Sequence, residues 1–385
     1  MERGTFQLMK SVNRTLILNK IRENAPISRA QIAKETKLTP PTVSSIVKEL
    51  IEQDLVQEST LGESQGGRKP TLLLVNKNGY YVVGVDAGPT TVVCVLSNLA
   101  GEVCKRIVLP ITPNQTNESF LSLIKEGITQ VLQQASYREK VLGIGVAMHG
   151  VVDVTTGTSV FAPVLQLKDI PLQEELENTF GLEVRMENDA RAMALGEAWF
   201  GEYEPKTNML TLNLGSGVGA GVLIEGKLYE GAFGLAGEVG HMTIALDGEQ
   251  CECGNLGCLQ AYASAPAITR RANEQMPSMS ITTSEEVYQL AEQNHERSIQ
   301  LLEETGDKIG IGLANLVHVI NPALIIIGGG VAKAEKYIHA PMARALAERG
   351  LTEAAKSTPI TFSEIGDDAT ILGAVALVLQ EVFGS

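Results

Sequence analysis

Between Ser11 and Asn24 the apolar residues Val12, Leu16, Ile17 and Ile21 recur at helical spacing, while Lys10, Arg14, Lys20 and Arg22 take other faces. That period predicts an amphipathic first helix. Ser28 can cap a second, short helix containing Ile32 and Ala33, after which the polar turn Glu35-Thr36-Lys37 leads to Leu38. Thr39-Pro40-Pro41 then opens a third helix: a capping threonine, followed by prolines where no backbone donor is needed. Its inward side holds Val43, Ile46, Val47, Leu50 and Ile51. The opposite face presents Thr42, Ser44, Ser45 and Lys48, short polar side chains and one cation that can approach base edges in a major groove. Leu55-Val56-Gln57-Glu58 and Thr71 to Val75 predict two strands, joined by a Gly/Ser-rich tip that ends in Gly66-Gly67-Arg68-Lys69-Pro70. Residues 1–77 therefore predict an α+β winged helix-turn-helix, with Arg68 and Lys69 set to meet phosphate or the minor groove. A small helical protein-interaction module with a charged hairpin is the competing account.

Beyond residue 77 two stretches repeat one pattern. Val82 to Thr90, with Asp86-Ala87-Gly88-Pro89 at its end, is followed by the apolar run Thr91 to Leu96, a turn at Asn98 to Gly101, and another strand. Met209 to Gly219, ending in Gly215-Ser216-Gly217-Val218-Gly219, leads into Ala220 to Ile224, a turn at Glu225-Gly226, and a strand again. Strand, glycine-rich turn and hairpin, occurring twice, predict a duplicated α/β lobe. Two such lobes facing each other make a cleft, and the turns offer backbone N–H groups to phosphates or hydroxyls. Asn188 and Asp189 fall between a predicted strand, Leu182 to Met186, and a helix beginning near Ala190, so both emerge at a strand end toward that cleft.

Charge separates the two parts. The 385 residues carry −14 overall, yet residues 1–77 hold 12 Lys/Arg against 8 Asp/Glu, leaving −18 on the remainder. Only the first part suits a polyanion. Neither a leader-type N-terminus nor an apolar run near the ~20 residues needed to span a bilayer is present, which points to the cytoplasm. Cys94 and Cys104 sit in apolar, strand-like runs and are expected to be buried and inert.

Cys251, Cys253 and Cys258, with His241 ten residues before the first of them, are spaced differently. One imidazole and three thiolates suit a closed tetrahedral zinc site of the structural kind, one ion per chain, with Gly254 and Gly257 allowing the tight bends between ligands. Three unligated cysteines are the alternative.

Together these residues resemble the ROK family of repressors and sugar kinases, whose fold is an actin-like, ribonuclease H-like duplicated lobe. The resemblance spans essentially the whole chain: the head and wing, the Asp86 to Thr90 turn, Glu187-Asn188-Asp189-Ala190, Leu214 to Gly221, Glu238-Val239-Gly240-His241, the cysteine cluster, and Ile327-Gly328-Gly329-Gly330. Within the family the pattern is most similar to the xylose-responsive repressors of Gram-positive bacteria. The resemblance implies a homodimer that binds a palindromic operator and is released by D-xylose. It implies a sugar site of Asn188, Asp189, Glu238 and His241, with Gln260 where many members have a sugar-contacting Glu. It places the kinase general base at Asp189, although a helix N-cap would explain that residue equally. His241 ligated to zinc would keep its second ring nitrogen for a sugar hydroxyl. The implied domains are residues 1–77, a first lobe of 78–190 plus 371–385, and a second lobe of 191–370 holding the sugar and zinc residues.

Three departures argue against phosphate transfer. Pro89 stands where kinases usually have Gly and removes a backbone donor from the first turn. Gln260 replaces the Glu, and His149 stands where kinases commonly have Pro. The expectation is a non-enzymatic repressor; an ATP-dependent sugar kinase carrying a DNA-binding head is the alternative, because the second glycine-rich turn remains kinase-like. Architecture does not give the sign of regulation, so an activator, or a repressor governed by a protein partner, stays open.

Overall fold

The computed structural model describes residues 2–59, 71–133, 139–204 and 207–384, with side chains from Val12 onward. It opens with α1 (Glu2–Asn24), a two-residue strand β1 (Ile27–Ser28), α2 (Arg29–Thr36) and α3 (Pro40–Glu52). Both expected caps form: the Ser28 hydroxyl accepts from the Gln31 N–H, and the Thr39 hydroxyl accepts from the Thr42 N–H. Each satisfies a backbone donor that the first helical turn leaves without an intrahelical partner. Val43, Ile46, Val47 and Leu50 of α3 are buried.

In α1 the buried stripe is Ile17, Leu18 and Ile21, while Val12 and Leu16 are 57% and 42% exposed. This corrects the expected inward set. At about 100° per residue, Leu18 falls beside Ile17 and Ile21, whereas Leu16 turns about as far the other way, and it is the former face that α2, α3 and β3 cover. Strands β2 (Val56–Ser59) and β3 (Leu72–Val75) pair antiparallel from Val56↔Val75 to Ser59↔Leu72, and β1 adds to the far edge of β3. The tip, including Arg68 and Lys69, lies outside the described residues.

The body begins with β4 (Tyr81–Ala87), β5 (Thr91–Asn98), β6 (Val103–Pro110), α4 (Asn117–Leu132) and β7 (Val141–Met148). A small antiparallel sheet follows, β8 (Val151–Asp153), β9 (Thr158–Ala162) and β10 (Leu167–Ile170), then α5 (Leu172–Phe180), β11 (Val184–Asn188) and α6 (Asp189–Phe200). The second half runs β12 (Met209–Leu214), β13 (Val218–Ile224), β14 (Lys227–Leu228), α7 (Gln260–Ala263), α8 (Ala265–Gln275), α9 (Ser284–Glu292) and α10 (Glu296–Ile320). It ends with β15 (Leu324–Gly328), α11 (Glu335–Arg349), α12 (Glu353–Lys356), β16 (Ile360–Phe362) and α13 (Ala369–Phe383).

The two large sheets have orders β11-β7-β4-β5-β6 and β14-β13-β12-β15-β16. Read from opposite edges they are the same sheet: a three-stranded hairpin run, then two strands added on the other side of its first strand. The duplication expected from the repeated pattern is therefore a repeated topology. Cys94 on β5 is buried, with its thiol pushed up to about 12 by desolvation and by Asp86. Cys104, expected to be buried, is exposed, because the residues of β6 alternate between half-buried and exposed and Cys104 takes the exposed face.

Packing divides the chain into two compact units, one of 1–146, 172–186 and 374–385, the other of 147–171 and 187–373. These crossing points differ from the sequence-drawn boundaries at 77, 190 and 370: the head falls within the first unit, and Asn188 and Asp189 belong to the second. The physical reason at Asp189 is helix α6, whose Ala190 and Ala194 sit so close to β13 that only glycine fits opposite them, at Gly219 and Gly221. No described helix is long and apolar enough to cross a membrane.

Candidate ligand and metal sites

Strand β11 ends at Asn188 and α6 starts at the next residue, so two polar side chains stand at one strand-to-helix junction. Asn188 is the N-cap. Its Oδ1 accepts from the N–H groups of Ala190 (3.0 Å) and Arg191 (3.2 Å), and its Nδ2 donates to the Gly150 carbonyl and to Asp189 Oδ1, both at 2.9 Å. Both amide hydrogens and both oxygen lone pairs of Asn188 are thus engaged. Asp189 Oδ1 also accepts from Ala190 N at 2.9 Å, and Oδ2 lies 3.4 Å from Nδ1 of His149.

Below this junction Glu187 and Arg191 form a buried pair, each 2% exposed, with Nε to Oε1 at 2.7 Å. Burial pushes the Glu187 carboxyl up and the adjacent guanidinium opposes it. The same guanidinium donates to the carbonyls of Gly234 and Ala236. It thereby ties the start of α6 to the segment that delivers Glu238 and His241. Desolvation pushes the Glu238 carboxyl up, and the charges it feels are those of His241, Arg191, Asp189 and His149. Asn188, Asp189, Glu238 and His241 are therefore brought into one polar cluster. Gln260 is engaged elsewhere: its Oε1 accepts from Val218 N–H at 3.1 Å and so holds the second glycine-rich turn.

Arg191 was not singled out by the sequence, where an arginine three residues into a helix reads as a solvated charge. The signal available was the acid–base spacing Glu187 to Arg191. His149 was noticed only as a departure from a family pattern; its nearness to Asp189 is a tertiary fact.

The donor atoms of His241, Cys251, Cys253 and Cys258 all lie within 4.8 Å of one another. Nδ1 of His241 faces Cys251 Sγ at 3.8 Å, and Cys253 and Cys258 sulfurs are 3.7 Å apart. A tetrahedral ion with bonds of about 2.3 Å to sulfur requires edges of about 3.8 Å, so the donors fit a metal of that geometry. The backbone is shaped to the same end. Gly254 closes a turn onto the Cys251 carbonyl at φ 95°, and Cys251 N–H is held by the Asn255 carbonyl. Burial raises the thiols of Cys251 and, to about 12, Cys258, whereas the Asn255 N–H draws Cys253 down to about 7. A bound cation would override these values by favouring all three thiolates.

On α3, Ser44, Ser45 and Lys48 are exposed, and Lys48 lies 3.7 Å from Glu52 in a pair open to solvent. Thr42 is half-buried, with its hydroxyl 2.8 Å from that of Thr39. It serves the helix cap more than the open face.

Residues 82–381 match the ROK family, and residues 12–57 match a winged helix-turn-helix DNA-binding family. The chain belongs to the ROK family. Among its ROK relatives, the xylose repressor of Caldicellulosiruptor bescii is 34% identical over 98% of each chain. A solved ROK family transcriptional regulator, described as a homolog of the Escherichia coli MLC protein, superposes with a TM-score of 0.85 at 26% identity over 97% of each chain. A ROK glucokinase from Streptomyces griseus, solved with glucose and AMPPNP, gives 0.70 at 27% identity, covering 78% of this chain and 99% of its own.

Proposed function

We propose that this ROK protein is a sugar-responsive transcriptional repressor, that D-xylose is its inducer, and that it binds a palindromic operator as a homodimer. The observation that carries the reading is the coexistence on one chain of an open recognition face on α3 and a polar cluster of Asp189, Glu238 and His241 around a saturated Asn188. The similarity to a xylose repressor over the full length of both chains supports the same assignment. Ser44, Ser45 and Lys48 read base edges, Arg68 and Lys69 meet backbone phosphate or the minor groove, and Asp189, Glu238 and His241 contact the sugar, with Asn188 holding Asp189 in place and Gln260 holding the second glycine-rich turn. Sugar that binds the operator-free form more tightly than the operator-bound form lowers operator affinity by the same factor.

The direct test starts from DNA selected out of a random pool by the full chain. Its affinity, followed by fluorescence anisotropy, should fall steeply with salt and fall again on adding D-xylose. Selected DNA that ignores every pentose and hexose would sink the inducer assignment.

The His241/Cys251/Cys253/Cys258 cluster is assigned to one structural zinc ion per chain. The ion would clip the loop and fix the imidazole tautomer, leaving Nε2 of His241 for the ligand. Elemental analysis of folded, chelator-washed protein should find close to one zinc, and forced metal removal should lower both the melting temperature and sugar affinity. Metal-free protein that keeps both would refute the role.

The glucokinase likeness favours a second reading, an ATP-dependent sugar kinase with a DNA-binding head. It predicts sugar-dependent ADP release at enzyme-like rates, which the repressor reading does not.

A further inference from the structure

We infer that His149 is a positioning residue of the ligand site, holding Asp189 so that the carboxylate reads one ligand hydroxyl through a single oxygen. The inference rests on the sugar-site reading above but assigns a residue outside it.

Asp189 Oδ1 accepts from Asn188 Nδ2 and from the Ala190 N–H, a donor it shares with Asn188 Oδ1. Both acceptor positions of Oδ1 are therefore occupied, one of them by the shared donor. Oδ2 faces the His149 ring at 3.4 Å and has one position left. Asn188, the other polar residue at this junction, has no hydrogen or lone pair to spare. The ligand contact at the start of α6 is therefore Asp189 Oδ2, and the group that sets its direction is His149.

The placement of His149 is itself built in. It is 9% exposed, and the next residue, Gly150, takes φ 95° where a Cβ would run into the Phe161 carbonyl. The Gly150 carbonyl receives Asn188 Nδ2. Residues 149–150 and 188–189 are thus two dipeptides cross-linked side chain to backbone and side chain to side chain, and the first link fixes the backbone from which the imidazole reaches the carboxylate. Glu238, across the cluster, feels both His149 and Asp189.

The test is a double-mutant cycle on full-length protein, read by calorimetry with D-xylose. His149→Ala should weaken binding about tenfold, and His149→Asn, which can place an amide N–H near the Nδ1 position, should restore it to within about threefold. In an Asp189→Ala background, His149→Ala should cost nothing further, because its effect passes through the missing carboxylate. Equal losses in both backgrounds, or no loss in the first, would overturn the inference while leaving the sugar site standing. A ligand-free arm separates it from the inducer reading. With the five histidines followed by NMR, Asp189→Asn should shift the ring resonances of His149, since it changes the group that faces Nδ1. Unmoved His149 ring resonances would overturn the pairing even if no sugar bound.

Discussion

The hairpins β4–β5 and β12–β13 have the same layout, each closing through a three-residue turn, yet their glycines do different work. At the first turn Gly88 donates to the Thr91 carbonyl, and a Cβ on it would sit 3.3 Å from that oxygen, tight but negotiable. Beyond the second turn, a Cβ on Gly219 would lie 2.7 Å from the Ala190 methyl, and one on Gly221 would overlap Ala194. Those glycines let α6 press against β13, and α6 begins with Asp189. In the second lobe the glycine pattern read in sequence as a cradle for phosphate runs on into β13, where Gly219 and Gly221 form the bed for the helix that carries the polar cluster. The first lobe's turn contains Pro89 and supports no such helix with its glycine. The lesson is that glycine spacing announces close approach, and only the packing shows what approaches.

The largest expected effect that sharpens this comparison is at Arg191. Its replacement by Met should strand Glu187 as a buried lone carboxylate and cost about 3 to 5 kcal/mol, seen as a lower denaturant midpoint. A loss below about 1 kcal/mol would mean that close packing alone, without the charged strut, sets the start of α6. Next, Gly221→Ala should destabilise by about 1 to 3 kcal/mol through overpacking against Ala194, and should carry sugar affinity down with it. An effect on neither would leave the two turns equivalent. Asp189→Ala should leave the melting temperature nearly intact and weaken sugar binding by about one to two orders of magnitude, the scale of one charged hydrogen bond of about 1.5 to 3 kcal/mol. Operator affinity without sugar should hardly move, giving a repressor that sugar no longer releases. The smallest effect is expected at Gly88→Ala, within about 1 kcal/mol, since its φ lies outside the left-handed region and the Thr91 carbonyl can yield a little. A collapse of stability there would erase the contrast between the lobes.

Much of the site was legible in advance because its chemistry is local. The cysteine spacing around Gly254 and Gly257 places three sulfurs on one short loop, and the donors of His241 and the cysteines do converge. The Asn188-Asp189 pair was placed at a strand-to-helix junction, where it lies. Gln260 was grouped with them on resemblance, whereas its side chain is turned to Val218. Nothing near residue 260 in sequence announces that partner.

What the sequence determined by itself is what short-range hydrogen bonds and periodicity dictate. The caps at Ser28 and Thr39, the three helices and the β2–β3 hairpin of the head, and the twice-used hairpin are all of this kind, since each depends on residues within a few positions of one another, whereas β1, which pairs with β3 some 45 residues on, was not foreseen. The tertiary structure decided which face of a helix or strand is covered. Leu18 is inside and Leu16 outside because α2, α3 and β3 cover one side of α1. Cys104 is open because it falls on the exposed set of the alternating residues of β6. His149 meets Asp189 from 40 residues away, and Arg191 reaches Gly234 across 43. Contacts of that range arise only when the whole sheet is assembled, because they are held in place by burial and close packing, and neither is a property of a neighbouring residue.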